Sequence, residues 1–230
     1  ATASYAKARW KRSSARGAIA RDDAPPDGPF LARPRRTKVA GPWRWPSGTG
    51  QEEMIPVLET RRLRLRGFAP GDVESFAGFY ASDAARFVGG PEDLSTTWRR
   101  LAAYAGCWML RGFGKFVAEE KVTGDTVGIV GPTFPEGWPE PEVGYTILPT
   151  FHGRGYATEA TVRCLSFVYD VLGWKTAMSA IVPGNDVSIK VAERLGAERE
   201  GVFSVPGYAR LELYRHLPAA EFRLKFASLS

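Results

Sequence analysis

The sequence predicts an α+β domain in which a mixed, largely antiparallel sheet of about seven strands is flanked by about four helices. Three observations carry that expectation. Apolar and polar residues alternate in several short runs, apolar residues recur at helical spacing in several longer ones, and the two kinds of run are mixed without regular strand–helix repetition. That irregular order argues against a doubly wound parallel sheet.

The elements follow in chain order. Residues 58–66 alternate Leu63 and Leu65 with Arg62, Arg64 and Arg66, which reads as one half-buried strand. Asp72–Tyr80 and residues 94–110 read as helices. Phe116–Glu120 and residues 127–130 read as a hairpin joined through Thr123-Gly124-Asp125, with its glycine in the turn. Residues 142–148 form the next strand. A helix over residues 158–172 carries Val162, Leu165, Val168 and Leu172 on one face and stops at Gly173. A strand over 175–182 precedes a helix marked by Val187, Val191 and Leu195 and ended by Gly196. The last two strands, Glu198–Val205 and residues 209–217, flank a Pro206-Gly207 turn.

A chain of 230 residues is long enough for one domain with a core of its own. Residues 1–53 lack apolar periodicity and hold six prolines among arginines. They read as a disordered Arg/Pro-rich extension, translated from upstream of a start at Met54, with the folded domain over residues 54–230. The net charge of +6 belongs to that extension. Of 31 basic and 25 acidic residues, 11 and 5 lie in residues 1–53, leaving 20 of each in the remainder. The charge therefore argues against nucleic acid as the partner of the folded part.

Cys107 and Cys164 are far apart in apolar contexts, as reduced buried thiols would be, and His152 and His216 are too few to suggest a metal. No run of about 18 apolar residues is present to span a membrane. These features fit a cytoplasmic protein.

The informative stretch is residues 149–160, Pro-Thr-Phe-His-Gly-Arg-Gly-Tyr-Ala-Thr-Glu-Ala, which leads from a strand into a helix. Gly153, Gly155 and Ala157 leave the backbone bare where a helix begins. Unpaired amides there would bind an anion such as phosphate, with Arg154 adding a cation. A ligand-free tight turn would need the same glycines. Thr158 stands where a Rossmann fingerprint wants glycine, and the Gly-Lys-Ser/Thr of a Walker loop is absent.

In context the sequence resembles the GCN5-related N-acetyltransferases (GNAT family), in the RimJ/RimL-like branch that acetylates ribosomal-protein N-termini. The resemblance runs from about Met54 to Leu217. It rests on the run from Leu58 to Arg66, on Glu142-Val143-Gly144-Tyr145, on His152-Gly153-Arg154-Gly155-Tyr156-Ala157, and on Asn185-Asp186-Val187-Ser188 followed by Arg194-Leu195-Gly196-Ala197. Three positions depart from the pattern. His152 replaces the usual Gln or Arg, Ala197 replaces Phe, and Ala192 stands where many members place a Tyr that protonates the leaving thiolate.

The resemblance implies acetyl-CoA as co-substrate, no metal, and an acetyl group passed to a primary amine by direct attack in a ternary complex. It implies that His152, Gly153, Arg154, Gly155, Tyr156 and Ala157 cradle the CoA pyrophosphate. Edge groups of Ile147 and Leu148 would pair with pantetheine, Asn185 and Ser188 would face the cofactor, and the fourth and fifth strands would splay into a slot. Glu142 is the candidate base, its alternative being a solvated carboxylate or a cross-strand partner of Lys or Arg. Tyr145 or Tyr208 would supply a proton to the thiolate, unless both merely pack. Asn185 equally fits a plain helix cap.

Trp138, Trp108 and Phe113 either wall an acceptor pocket or plug the core. His216 shows no partner arrangement for a triad. The acceptor is a protein N-terminus or a small amine, and a homodimer is left open. An acyl-CoA-binding regulatory module without turnover is the alternative function, kept by Ala192.

Overall fold

Thr60 breaks the strand expected over residues 58–66 into a hairpin. Its hydroxyl accepts the Leu63 amide at 2.8 Å while its own amide donates to the Leu63 carbonyl at 2.9 Å. β1 (Leu58–Glu59) therefore folds back on β2 (Leu63–Arg66), with Leu58 opposite Leu65. The alternation survives the turn, since Leu58, Leu63 and Leu65 are all buried. The computed structural model describes residues 55–205 and 207–227, and the extension expected over residues 1–53 lies outside the described residues.

After the hairpin come α1 (Asp72–Tyr80), a 3-10 turn (Asp83–Val88) and α2 (Leu94–Arg111). The Asp93 side chain caps α2 by accepting the Thr96 amide at 2.7 Å, and Gly112 ends it at φ 75°. β3 (Phe116–Glu120), β4 (Thr126–Thr133) and β5 (Glu142–Ile147) form an antiparallel meander. α3 (Tyr156–Asp170) carries the chain across the sheet to β6 (Met178–Ile181). α4 (Asp186–Arg194), β7 (Glu198–Val205), β8 (Tyr208–Arg215) and α5 (Ala219–Phe226) complete the described chain.

The eight strands make one sheet in the order β1-β2-β3-β4-β5-β6-β8-β7. Every neighbouring pair is antiparallel except β5 with β6. The α+β class is as the sequence predicts. The extra strand comes from the Thr60 turn. The extra helix, α5, is only two turns long and is held by Phe222, which packs on Tyr169 of α3 and on Phe226.

Strand pleating sends alternate residues into separate cores. Phe116, Ala118, Val130 and Val143 join α3 and α5 in the larger cluster, whereas Val117 and Ile129 meet Phe76 and Tyr80 of α1 and Leu101 of α2. A third cluster joins Ile181, Ala192, Ala197 and Tyr214 between α4, β6 and β8. Arg66 links the first helix to the sheet, donating to both oxygens of buried Asp72 at 2.9 Å and to Glu119 on β3 at 2.8 Å. No helix among the described residues is long and apolar enough to cross a membrane.

Gly128 on β4 faces Ile147, and a Cβ there would lie 2.2 Å from the Thr146 carbonyl oxygen and 2.9 Å from the Ile147 Cα. Backbone cannot yield as a side-chain tip can. Gly128→Ala is expected to lower stability by about 2 kcal/mol or more. Urea unfolding monitored by tryptophan fluorescence checks this, and an unchanged midpoint would contradict it.

Candidate active site

β5 and β6 are paired at one position, Glu142 opposite Met178, and then part. Side chains intercept the next bonds of the parallel ladder. The Ala180 amide donates to Glu142 Oε2 at 3.1 Å, and the Val143 carbonyl accepts the Ser179 hydroxyl at 2.7 Å. β5 continues along β4 as far as Ile147 opposite Gly128. The Leu148 amide donates to the Val127 carbonyl, which sets the phase of that ladder and turns the backbone groups of residues 143, 145 and 147 toward the slot.

The slot leads to the loop between β5 and α3. A 3-10 turn (Pro149–Phe151) is followed by Gly153 at φ 75° and Gly155 at φ 80°, left-handed values that favour glycine at both positions. α3 starts at Tyr156 without a side-chain cap. None of the amides from residue 153 to residue 158 has a hydrogen-bond acceptor among the described residues. Six consecutive donors at a helix N-terminus, where the helix dipole is positive, constitute an anion-binding concavity.

These surfaces line a cavity of about 720 Å³ between the slot, the loop, one face of α4 and the Asp83–Val88 turn. The charged side chains on its wall are Arg86, Lys190 and Arg194, with no carboxylate among its lining residues. A polyanionic ligand is favoured there and a polycation is repelled.

Comparison with known proteins shows the family of the fold that carries this geometry. The family profile of the acetyltransferase (GNAT) domain matches residues 62–198. The chain belongs to the GNAT acetyltransferase family. An acetyltransferase from Agrobacterium tumefaciens is 33% identical with a TM-score of 0.66, the match covering 71% of this chain and 95% of that one. The uncharacterized N-acetyltransferase YoaA of Bacillus subtilis is 26% identical over 153 residues, 65% of this chain and 86% of its own. A putative ribosomal-protein-serine acetyltransferase from Vibrio cholerae shares the fold at 22% identity and a TM-score of 0.60, covering 71% of this chain and 97% of its own.

In this GNAT domain the cavity brings together nine of the residues singled out in the sequence: Tyr145, Ile147, His152, Gly153, Gly155, Tyr156, Ala157, Asn185 and Ser188. Glu142, Leu148 and Arg154 are not on its wall. The Leu148 amide and carbonyl are both spent within the protein, on Val127 and on the Phe151 amide, so the slot edge belongs to Tyr145 and Ile147. Arg154 is exposed and stacks 5.3 Å from the Phe151 ring. His152 Nε2 donates to the Ile147 carbonyl at 2.7 Å and so ties the loop to the strand.

Glu142 lies at the head of the slot and is not the solvated carboxylate of the alternative reading, being 8% exposed. Burial pushes its carboxyl above the usual range, opposed by the charge of Lys115, the Ala180 amide and the Trp138 indole. The Tyr145 hydroxyl donates to the Ser188 carbonyl at 2.7 Å, and burial raises its pKa. The side chain of Tyr208, the other proton donor considered, lies outside the described residues. Asn185 caps α4 by accepting the Ser188 amide at 3.3 Å. Ala192 is buried in the third core cluster.

Trp108 is a core plug against Phe116 and Phe167, and Phe113 stacks edge-on to Trp174. Trp138 stacks edge-on to Phe203 of β7. His216 does have a serine partner, Ser179 Oγ at 2.9 Å from Nε2, formed across the β6–β8 ladder where spacing gave no signal. No acid completes a triad, since His216 Nδ1 is buried without a hydrogen-bond partner. Burial and the Arg215 charge lower the His216 pKa to about 4.

The sequence reading missed Arg62 as a brace for the loop. Its guanidinium donates to the Arg154 carbonyl at 3.0 Å, pairs with Glu159 on α3 at 2.6 Å and lies 4.3 Å from the Tyr156 ring centre. Thr60 and the Arg62 amide also donate to Glu159, at 2.6 and 2.8 Å. Burial alone would raise the Glu159 pKa, but these donors outweigh it and the net shift is downward from 4.5. The stabilisation is therefore present at neutral pH and is lost as pH falls below about 4.5 through the lower folded-state value. Arg62→Ala is expected to cost about 1 kcal/mol at pH 7, a modest value because the guanidinium is partly exposed. The gap to wild type should narrow toward pH 3, as read from denaturant midpoints, and a gap independent of pH would contradict the assignment.

Proposed function

We propose that the chain is an N-acetyltransferase that moves an acetyl group from acetyl-CoA to a primary amine. The observation carrying this reading is the row of six amides from Gly153 to Thr158 without protein acceptors, set at the end of the slot and beside a cation-lined wall. A diphosphate fits those donors, with Gly153 and Gly155 leaving room for its approach. The slot edge at Tyr145 and Ile147 offers backbone groups to the pantetheine amides in the manner of an added strand. His152, Tyr156 and Arg154 hold the loop in shape, and Asn185 and Ser188 present the start of α4 to the same ligand.

Acetyl-CoA supplies an acyl group already activated as a thioester. The chain must orient it, exclude bulk water and remove a proton from the incoming amine, which is charged and unreactive at neutral pH. Glu142 is the assigned acceptor of that proton, since a carboxylate raised by burial is suited to the task. It stands off the cavity wall, so the proton reaches it through water. Tyr145 is the assigned donor to the departing thiolate.

We further place the chain in the RimJ/RimL-like branch, on the strength of the Leu58–Arg66 opening and Glu142-Val143-Gly144-Tyr145. A protein N-terminus or a small-molecule amine fits the acceptor side equally. Cytoplasmic location follows from the same reading, with Cys107 and Cys164 as free thiols.

The alternative, an acyl-CoA-binding module without turnover, draws support from Ala192, whose side chain is spent in packing. Calorimetry with acetyl-CoA followed by a thiol-release assay against amines and N-terminal peptides separates the two. Binding with release supports the enzyme, binding without release supports the module, and no binding defeats both. Glu142→Gln is expected to lower kcat/KM by about 100-fold or more while acetyl-CoA affinity changes little. An unchanged rate would remove Glu142 from the reaction.

A further inference from the structure

Lys115 enters β3 on the face of the sheet that carries α1 and α2, and it is 8% exposed. Its main chain is pinned from α2, where the Trp108 indole donates to the Lys115 carbonyl at 2.9 Å. Two glycines paired across the β4–β5 ladder, Gly131 and Gly144, make room for it. A Cβ on Gly131 would lie 3.1 Å from the Lys115 Cα, and one on Gly144 would lie 2.9 Å from its Nζ. The same point over Gly144 is 3.5 Å from Glu142 Oε1. Tyr104 of α2 covers the ammonium, its ring centre 4.6 Å from Nζ.

We propose that Lys115 is a positioning residue for Glu142: its ammonium, carried over the Gly131–Gly144 pair, balances the buried carboxylate and fixes its place at the head of the slot. A carboxylate taken out of water is costly unless an opposite charge and hydrogen-bond donors accompany it. Here the Ala180 amide donates to the carboxylate, the Trp138 indole adds a smaller favourable influence, and Lys115 is the leading influence against burial. The other titratable groups around Glu142 do not supply a positive charge to it. Tyr104 and Cys107 on α2 and Tyr145 on β5 have no cationic form. Across β6, Ser179 is paired with neutral His216, Tyr214 is neutral, and Arg215 is committed to Glu140 and Glu200. The proposal deepens the reading of Glu142 as the base and rests on it for its catalytic meaning, while the charge pairing stands apart from any reaction.

The test follows the Glu142 side-chain carboxyl by carbon-13 NMR titration of the full chain, with the signal assigned by its loss in Glu142→Gln. Lys115→Met is expected to move the midpoint upward by about one unit or more, and Lys115→Arg to leave it nearly in place. The acid limb of kcat/KM for acetyl transfer should move to higher pH by the same amount, because the base is lost to protonation earlier as pH falls. A merely structural lysine would lower stability without moving either midpoint. If Lys115→Met does not fold, Gly144→Ala, which displaces the ammonium without removing it, must raise the midpoint, and an unmoved midpoint overturns the proposal. An unshifted titration in Lys115→Met alongside intact acetyl transfer likewise overturns the pairing and leaves the function standing. A shifted titration in a chain that transfers no acetyl group supports the pairing and removes the catalytic role of Glu142.

Discussion

The geometry of the site depends on two side-chain interceptions at the junction of β5 and β6. A parallel pair extends as long as each strand's amides find the other's carbonyls. Here Glu142 takes the Ala180 amide and Ser179 takes the Val143 carbonyl, so the ladder ends after a single residue pair. The two backbone groups that would have paired next, the Ala180 amide and the Val143 carbonyl, are thus satisfied by side chains, so their parting carries no desolvation penalty. A sheet otherwise continuous across eight strands is thereby opened near its middle, with the anion-binding loop at the far end of the opening.

That arrangement separates charge by position. The cavity wall holds Arg86, Lys190 and Arg194 and no carboxylate, whereas the buried carboxylate at the fork sits outside that wall with its own donors and a lysine nearby. A negative ligand on that wall would thus be kept apart from the negative side chain. If they shared one dry compartment, like charges would raise the carboxyl further and weaken anion binding together.

The loop is held from behind by the first hairpin of the chain. Arg62 and Thr60 converge on Glu159, and Arg62 reaches across to the Arg154 carbonyl. Drawing that carbonyl backward leaves the neighbouring amides facing the cavity. Left-handed angles at Gly153 and Gly155 give the chain its bend, and His152 fastens the near side to Ile147. A loop with few internal bonds is in this way braced from behind by Thr60, Arg62 and Glu159, which do not line its concave face.

Local chemistry was legible in the sequence because it is written at short range. Period-two and helical spacing located β3, β7, α1 and α2, whereas β4 and β6 differ in extent from the strands expected over residues 127–130 and 175–182, and the glycines and Ala157 marked where α3 begins with exposed amides. The hairpin at Thr60, the two-turn α5 and the Asp83–Val88 turn escaped because each is shorter than a periodicity can register, and each is defined by contacts with distant partners. The pairings Arg62–Glu159, Ser179–His216 and Lys115 near Glu142 join residues whose approach depends on strand register and helix placement. The chain alone determined which backbone could turn and which faces had to be buried, because glycine conformation and apolar spacing are properties of neighbouring residues. Only the tertiary structure decided which buried charges meet, because ladder register and the gap between two strands arise from packing among elements remote in sequence.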